Sequence, residues 1–355
     1  MVCYYTARTV VRDHDVTRRW NCNIGRNEGE RLSNCIDAVK MVHGNIVYVD
    51  SGSTDGSLEF ARRSGITVVS LDPSRMFTAA RARNEGFDAL RAISPHLRWV
   101  QFIDGDCVLV PDWLQKATTF IADRPEIAVV CGRRRERFPE ASIYNRFIDM
   151  EWDTPTGDAR ACGGDAMVRV EAFEAVGGFS SFIVAGEEPD LCFRMREKRW
   201  KIWRLEEEMT RHDAAMTNFD QWWYRAVRSG YGCAQLWHLY RSSGPPGLTR
   251  ALLRALIWGG LTLAIIAGAL LAGPKALILF LCYPLEVCRI AFRRRMTSSD
   301  SWAYGFFMTI SKFAETQGIM KYICQLIMGA SPTPIEYKRS RPGLRRSHYE
   351  SEQNR

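Results

Sequence analysis

The sequence predicts an α/β fold with a layered sheet, followed by a membrane-associated helical part. Between about residues 21 and 240, short apolar runs alternate with helix-like segments. The runs are continuously apolar rather than strictly alternating, which is typical of strands buried on both faces of a sheet. The composition then changes, and residues 255–272 contain no charged side chain. We therefore expect an α/β domain over residues 21–240 and membrane-associated helices after it.

Four apolar runs that end in turn residues are the predicted strands, in chain order NIVYVDSGSTDG, GITVVSLD, RWVQFIDGD and EIAVVCGR. The predicted helices between them include SLEFARRSG and FTAARARNEGFDALRAI. The segment VTRRWNCNIG, which precedes the first of these strands, is polar and poorly suited to a central strand. Either the first strand is short, or residues 1–20, an N-terminal segment of uncertain structure, have an atypical role.

Composition and charge restrict the function classes. The chain is 46% hydrophobic and 25% charged, the mix of a globular protein, and its net charge is +8. The basic residues concentrate around the apolar segments and in the tail, which favours membrane lipid over nucleic acid as a partner. The 11 cysteines form no C-x-x-C pair, which argues against a zinc site and indicates a reducing, cytosolic setting. The N-terminus lacks the pattern of a secretory signal, so we expect a cytoplasmic catalytic portion.

Residues 249–295 are predicted to form a membrane hairpin. Its first arm, residues 255–272, has 18 uncharged positions, close to the ~20 that a transmembrane helix needs. A buried core helix is the competing interpretation. The second arm, residues 276–292, is weakened by Pro284 and Glu286, and it either spans the bilayer or only re-enters it. Arginines flank both ends, and the positive-inside rule places both ends in the cytoplasm.

Two further segments complete the C-terminal part. Residues 300–335 are aromatic and apolar but contain Lys312, Glu315 and Lys321, which favours an amphipathic helix at the membrane surface or packed on protein over a third span. Residues 336–355 have the composition of a disordered basic tail, suited at most to anionic headgroups.

The motif FIDGDC is the first candidate site. Ligands collect at the carboxyl ends of the strands in an open α/β sheet, and Asp104 and Asp106 follow such a strand. Carboxylate oxygens suit Mg²⁺ or Mn²⁺, and Gly105 permits close approach of a ligand. By itself, a D-x-D triplet is weak evidence and is better explained as a polar turn after a strand. A second acidic strand end lies at Asp50, which is suited to accept hydrogen bonds from a base or a ribose.

Three carboxylates crowd into four positions at Glu187, Glu188 and Asp190. Repulsion among them is expected to raise at least one pKa, as a general base requires, if the site is partly buried. The alternative is an exposed helix N-terminus, where acidic residues and Pro189 are also favoured.

The segment HDAAMTNFDQWWYRAVRSGYG combines arginines that are suited to clamp phosphates with tryptophans that are suited to form a stacking surface. An amphipathic helix at a membrane interface is the alternative interpretation. The basic run at residues 133–137 is interpreted as a solvated edge rather than as a cradle for a lipid diphosphate.

The ordered set of motifs NIGRNEGERL, VYVDSGSTDGS, AARARNEGF, FIDGDC, CGGDAMVRVEAFEAVGGF, GEEPDLCFRMRE and QWWYRAVRSGYG resembles bacterial inverting family-2 glycosyltransferases. The resemblance covers roughly residues 21–240. It implies the GT-A fold, a Rossmann-like fold of nucleotide-diphospho-sugar transferases, followed here by the hairpin and the amphipathic helix.

The resemblance also implies a role for each matching position. The implied donor-binding residues are Arg26, Glu28, Asp50, Ser53, Arg83 and Asp104. The implied ligands of a divalent cation, Mg²⁺ or Mn²⁺, are Asp104, Asp106 and, as a third ligand, His212. The implied general base is Glu188, with Glu187 and Asp190 as alternatives. The implied residues around the sugar and the acceptor are Gly163, Gly164, Asp165, Trp222, Trp223, Arg225 and Arg228.

We therefore predict a membrane-attached, metal-dependent, inverting hexosyltransferase. It is expected to move a sugar from a nucleotide-diphospho-sugar to a hydroxyl of a lipid-linked saccharide, or another glycan, at the cytoplasmic face of the inner membrane. Such an activity suits exopolysaccharide or envelope glycan synthesis. The alternatives are a sugar nucleotidyltransferase and a non-catalytic, membrane-tethered protein that binds nucleotide sugars.

Overall fold

The computed structural model describes residues 19–41, 44–293, 299–330 and Ile335. The predictions for the tail at 336–355 and for the N-terminal segment up to residue 18 lie outside these residues. A mixed sheet of nine strands, in the order β3-β2-β1-β4-β8-β6-β9-β5 with β7 beside β9, forms the centre of the molecule. The strands are β1 Arg19–Gly25, β2 Gly44–Asp50, β3 Thr67–Ser70, β4 Trp99–Asp104, β5 Cys107–Leu109, β6 Ile127–Glu136, β7 Gly157–Ala159, β8 Ala166–Arg169 and β9 Lys201–His212.

Helices connect the strands and continue beyond the last one. Seven belong to the sheet domain: α1 Glu30–Lys40, α2 Ser57–Arg63, α3 Ala79–Ile93, α4 Trp113–Ala122, α5 Ile143–Trp152, α6 Val170–Ala175 and α7 Glu187–Glu197. Four follow: α8 Phe219–Tyr240, α9 Leu248–Ala272, α10 Cys282–Arg293 and α11 Ser299–Ile327.

Both faces of the sheet are covered, as the continuous apolar runs predict. In β2, Tyr48 packs with Leu32 and Ala61 on one face. Its neighbour Val49 belongs to the main core on the other face. There α3 approaches so closely that a Cβ on Gly86 would lie 2.8 Å from a Val49 methyl group. Because successive side chains of β2 belong to two separate clusters on opposite faces, β2 is an interior strand of the sheet.

The polar first strand is longer and more central than its composition indicates. β1 has 7 residues and pairs in parallel with β2 on one side and β4 on the other. Its alternate residues Trp20, Cys22 and Ile24 belong to the main core. The polar residues Asn21 and Asn23 occupy the other face and are also buried. Strand propensity underestimated β1 because its pairing on both edges outweighs the preferences of single residues.

The C-terminal helices include a hairpin whose return arm differs from the predicted one. A Cβ on Gly268 in α9 would lie 3.6 Å from Ala276, so the chain runs back along α9 after Gly273. The predicted arm at 276–292 is not one α-helix, because Pro274–Leu281 is a 3-10 helix and α10 begins at Cys282. Pro284 lies in the first turn of α10, where its missing N–H costs no helical hydrogen bond. Within the described part of the chain, α9 is the helix that is long and apolar enough to cross a membrane.

Helix α11 docks on α8 through small residues. A Cβ on Gly230 would lie 2.0 Å from the carbonyl oxygen of Glu315, and a Cβ on Gly318 would lie 2.0 Å from that of Val227. Because only glycine fits such close backbone contact, the two helices are held in one register. Of the two interpretations left open for residues 300–335, this packing favours a helix packed on protein.

Candidate functional site

A cavity of about 910 Å³ lies at the carboxyl ends of β1, β4 and β9. The N-terminal ends of α3 and α7 and one side each of α5 and α8 complete its wall. This is the edge at which open α/β sheets bind their ligands. Its charged lining residues are Arg26, Glu28, Arg31, Arg83, Asp104, Asp106, Arg134, Glu187, Glu188, His212, Arg225 and Arg228.

Arg83, which α3 projects into the cavity, connects the acidic residues from two motifs. Its guanidinium donates to Asp104 at 2.8 Å and to Glu187 at 3.1 Å, and it lies 3.4 Å from Glu188. Burial alone would lower the pKa of Arg83, but the three carboxylates raise it overall, so the residue stays charged. The structure therefore brings together the D-x-D motif and the GEEPDL motif, which are far apart in the chain.

Glu188 has the properties of a general base. Burial and the neighbouring carboxylate of Glu187 raise its pKa to about 7, against the opposing effect of Arg83. Its side chain is 18% exposed and lines the cavity. A carboxylate that titrates near neutral pH is matched to removing a proton from a hydroxyl group. The local repulsion expected from the GEEPDL motif is thus present.

Asp190 has a different place. Its side chain is fully buried, and its Oδ2 accepts hydrogen bonds from Arg194 at 2.6 Å and from Ser180 at 2.7 Å. Its other oxygen accepts from the hydroxyl of Tyr240. Asp190 does not line the cavity, because these hydrogen bonds hold its carboxylate in the protein interior. The alternative of Asp190 as the base is therefore not supported by its contacts.

Asp106 and His212 form the pair best suited to a cation. His212 Nε2 lies 3.1 Å from Asp106 Oδ2, and both side chains are buried. A separation of about 3 Å is that of adjacent ligands at ~2.1 Å from an octahedral Mg²⁺. Cys107 completes a group of three potential ligands within 4.8 Å. Burial and nearby carboxylates raise the pKa of Cys107 well above its usual value, so it stays a thiol and is poorly suited to a hard cation.

Asp104 also lines this edge of the sheet, and two arginines surround it. Burial opposes the charge of Asp104, but Arg83 and Arg134 outweigh that effect and lower its pKa. Arg134 Nη2 lies 3.6 Å from its Oδ2. The residue is therefore ionised, which is the form that binds a cation or a hydroxyl group.

The predicted donor-binding residues divide into two sets. Arg26 and Glu28 line the cavity, and Arg26 lies over the ring of Phe77 at 5.7 Å. Asp50 and Ser53 do not line it. The Oδ2 of Asp50 accepts hydrogen bonds from the backbone N–H groups of Gly52 and Ser53, both at 2.9 Å. The carboxylate of Asp50 thus fixes the loop after β2, and Ser51 of that loop faces the cavity instead.

The GGD motif contributes space more than contacts. A Cβ on Gly164 would lie 2.5 Å from both Arg83 Nη2 and Asp104 Oδ2, so glycine is required for that ion pair. Gly163 lies beside Arg134, where a Cβ would be 3.5 Å from Nη2. Asp165 is fully buried and does not line the cavity, in contrast to the expectation that it binds hydroxyl groups of the sugar.

The two tryptophans do not form the expected stacking surface. Trp222 is buried against the ring of Phe307 in α11, with ring centroids 5.0 Å apart. Trp223 donates from Nε1 to Gln317 of the same helix at 2.8 Å. Both are directed toward α11, because they lie on the face of α8 that this helix covers. Arg225 and Arg228 line the cavity, and Arg225 also pairs with Glu151 at 2.8 Å.

Sequence reasoning missed Arg134, which the structure places in the cavity wall. It lies in the basic run interpreted as a solvated edge, yet its side chain is only 15% exposed and pairs with Asp165 at 3.0 Å. Its guanidinium lies over the ring of Trp152 at 5.2 Å. Arg134 and the buried Glu136 are two positions apart on β6 and so share one face of the strand. The two-residue spacing of Arg134 and Glu136 was the signal available in the sequence, but the run of like charges around them obscured it.

The strand order, the cavity at the strand ends and the carboxylates around it define a GT-A-like α/β domain. Residues 25–177 match the family model described as glycosyl transferase family 2. Over these residues the chain is similar to family 2 glycosyltransferases, and its fold is GT-A-like, as the resemblance implied.

Two relatives match the chain over a similar length. The succinoglycan biosynthesis protein ExoA of Rhizobium meliloti (strain 1021) is 27% identical over 223 residues, which are 59% of this chain and 66% of ExoA. The glycosyltransferase AglE of Haloferax volcanii is 24% identical over 61% of this chain and 73% of AglE. The match to ExoA thus spans slightly less than two thirds of that relative.

A solved structure shares the fold over most of the chain. It is the mannosyltransferase PcManGT of Pyrobaculum calidifontis in complex with GDP-Man and Mn²⁺. The TM-score is 0.58 at 17% identity, and the alignment covers 85% of this chain and 87% of that one. The structural likeness extends beyond residues 19–240, because those residues alone make up less than 85% of the chain.

Proposed function

We propose that this protein is an inverting glycosyltransferase that moves a sugar from a nucleotide-diphospho-sugar to a hydroxyl group of an acceptor. The observation that carries the proposal is the cluster in which Arg83 joins Asp104 to Glu188, with Glu188 titrating near neutral pH. A donor-binding strand end and a base within one cavity are the two parts that direct transfer requires. The match of residues 25–177 to the family 2 glycosyltransferase model and the GT-A-like fold support the same reaction class.

In this proposal the donor's diphosphate lies at the ends of β1 and β4. Asp106 and His212 would hold a divalent cation, Mg²⁺ or Mn²⁺, together with Asp104. Their oxygen and nitrogen atoms and their burial fit such an ion. When bound, the cation supplies Lewis-acid stabilisation of the departing nucleoside diphosphate. Arg26, whose guanidinium lies over the ring of Phe77, would contact the nucleotide portion.

Glu188 performs the proton transfer. Its carboxylate accepts the proton of the acceptor hydroxyl while that oxygen attacks the anomeric carbon and the bond to the diphosphate breaks. Attack from the face opposite the leaving group inverts the configuration at that carbon. Arg83 keeps Glu187 and Glu188 close together, and the like charge of Glu187 keeps Glu188 basic enough for the task.

Arg225 and Arg228 suit an anionic acceptor such as a lipid-linked saccharide. They lie three positions apart on α8, and both line the cavity. Beside them the wall is apolar at Ile148, Val184 and Met216. A cavity with arginines next to an apolar wall matches a ligand that joins phosphate to hydrocarbon.

The hairpin supplies the membrane attachment in this proposal. α9 has 25 residues, so it is about 37 Å long, more than the ~30 Å of a hydrocarbon core. Leu263, Leu270 and Leu271 are 72%, 82% and 89% exposed, which is unfavourable in water but suits lipid. Arg250 and Arg254 are exposed near the start of α9, so we propose that this end faces the cytoplasm. In this orientation the active site would lie on the cytoplasmic side of the inner membrane, where it would serve exopolysaccharide or envelope glycan synthesis.

The decisive experiment titrates the detergent-purified protein with a panel of nucleotide sugars, each with and without Mn²⁺. Binding of one donor that requires Mn²⁺ and is lost in Asp106→Ala supports the proposal. Turnover then identifies the reaction: released nucleoside diphosphate indicates sugar transfer, whereas released pyrophosphate indicates a nucleotidyltransferase. Donor binding without turnover of any acceptor, unchanged in Glu188→Gln, would instead support a non-catalytic binding protein.

A further inference from the structure

Two buried carboxylates lie directly behind the residues that would hold the cation. They are Asp165, fully buried before β8, and Glu136, 5% exposed at the end of β6. Neither lines the cavity. The parallel pairing of β6 with β9 places Glu136 beside His212 and Arg134 beside Thr210. This pairing sets Glu136 next to His212, and Asp165 lies beside the paired residues Arg134 and Thr210.

Asp165 connects three strands through its two oxygens. Oδ1 accepts the backbone N–H of Asp104 at 2.9 Å. Oδ2 accepts the hydroxyl of Thr210 at 2.6 Å and pairs with Arg134 at 3.0 Å. A buried carboxylate is costly unless donors satisfy it, and these donors do so. The end of β4, and with it the side chain of Asp104, is therefore fixed relative to β6 and β9.

Glu136 has the corresponding place behind His212. Oε1 accepts hydrogen bonds from the backbone N–H of Phe138 at 3.1 Å and from the amide of Asn145 at 3.3 Å. Oε2 accepts the backbone N–H of Ala214 at 3.1 Å and lies 3.6 Å from His212 Nδ1. That nitrogen is buried and makes no hydrogen bond to the described residues. The carboxylate beside His212 Nδ1 is thus that of Glu136, whereas Nε2 of the same ring lies beside Asp106.

We propose that Asp165 and Glu136 are positioning residues for the cation site, a step that rests on the proposed function. Asp165 holds Asp104 through its backbone, and Glu136 orients the imidazole of His212 so that Nε2 is presented to the ion. A histidine ligand commonly directs its second nitrogen to a carboxylate, which fixes the ring and strengthens the ligand. Neither residue contacts substrate, so each acts through the ligand in front of it.

The test measures binding of Mn²⁺ by electron paramagnetic resonance, with Mn²⁺ alone and with Mn²⁺ plus UDP or GDP. We expect Glu136→Gln and Asp165→Asn to weaken Mn²⁺ binding by about 10- to 100-fold, the usual effect of losing such a partner. Asp190→Asn is the matched control, because Asp190 is equally buried and ion-paired but lies away from the cation residues. It should leave Mn²⁺ binding unchanged.

A second pair of variants tests whether weaker Mn²⁺ binding could result from a loss of folding. Thr210→Val removes the hydroxyl that Asp165 accepts, whereas Thr210→Ser keeps it. We expect Thr210→Val to weaken Mn²⁺ binding and Thr210→Ser to keep the wild-type affinity. The far-UV circular dichroism spectra of the two variants should be similar. Wild-type affinity in folded Glu136→Gln and Asp165→Asn would overturn this inference alone. Failure of the wild-type protein to bind Mn²⁺, or binding unaffected by Asp106→Ala, would overturn the cation site of the proposed function as well.

Discussion

The guanidinium of Arg83 lies 3.4 Å from the carboxylate of Glu188, and the same group donates to Asp104 at 2.8 Å. One buried cation thus connects the residue assigned to donor binding with the residue assigned as base. The contact depends on α3, because Arg83 lies on this helix and its side chain contacts residues of both motifs. It holds the two carboxylates in one cavity where their mutual repulsion would otherwise separate them.

The first prediction concerns the pH dependence of sugar transfer. Glu188 must be deprotonated to act as a base, and its pKa is raised to about 7. The rate should therefore rise with pH and level off above neutrality. Replacing Glu187 by glutamine removes a charge that raises this pKa, so the rising limb should move to lower pH. The measurement is the initial rate over a pH series for the wild-type protein and Glu187→Gln.

Glu188→Gln provides the reference for that profile. It should lower the rate by about 10² to 10⁴, the usual contribution of a general base, and should abolish the limb. Asp190→Asn should keep the limb in place, because Asp190 is bound to Arg194 away from the cavity. A limb that persists in Glu188→Gln would show that another group is the base.

Local charged motifs were enough to predict three carboxylates that line the cavity. Asp104 and Asp106 lie where strand β4 ends, whereas Glu188 lies in the acidic first turn of α7. The α/β class was predictable for a related reason, since continuous apolar runs require burial on both faces. These features are local in the chain, so local patterns report them.

The features that sequence reasoning missed depend on long-range pairing. The polar strand β1 is central because β2 and β4 pair with it from both sides. Arg134 faces Asp165 because β6 and β8 are neighbours in the sheet, which no local pattern reports. Trp222 and Trp223 are directed to α11, a helix that begins at Ser299. In each case the partner is distant in the chain, and the side chain's role follows from the partner.

The second prediction tests the close contact at Gly164. A methyl group there would lie 2.5 Å from Arg83 Nη2 and Asp104 Oδ2, so Gly164→Ala should separate this ion pair. Displacing catalytic groups by about 1 Å costs on the order of 10²-fold in rate. We expect a loss of that size in turnover, measured together with donor affinity. Gly260→Ala is the matched control, because a Cβ at Gly260 meets nothing within 4 Å. Equal rates in the two variants would contradict the close packing of Gly164 against Arg83 and Asp104.

The third prediction concerns the hairpin. Leu263 is 72% exposed near the middle of the uncharged stretch of α9, and Ile278 is 68% exposed on the return arm. An aspartate at the centre of a membrane helix costs about 2.5 to 3.5 kcal/mol. Leu263→Asp should therefore reduce flotation of the protein with liposomes. Met41→Asp, at a residue 74% exposed on the sheet domain, should not.

Ile278→Asp decides how far the return arm enters the bilayer. The arm consists of a 3-10 helix followed by α10, and it packs along α9. If the two arms lie at the same depth, Ile278→Asp should reduce flotation as much as Leu263→Asp does. A smaller effect would place the return arm nearer to the surface, because the cost of a charge falls toward the interface. Flotation unchanged in both variants would mean that the hairpin does not attach the protein to the bilayer, and the proposed membrane attachment through it would be wrong.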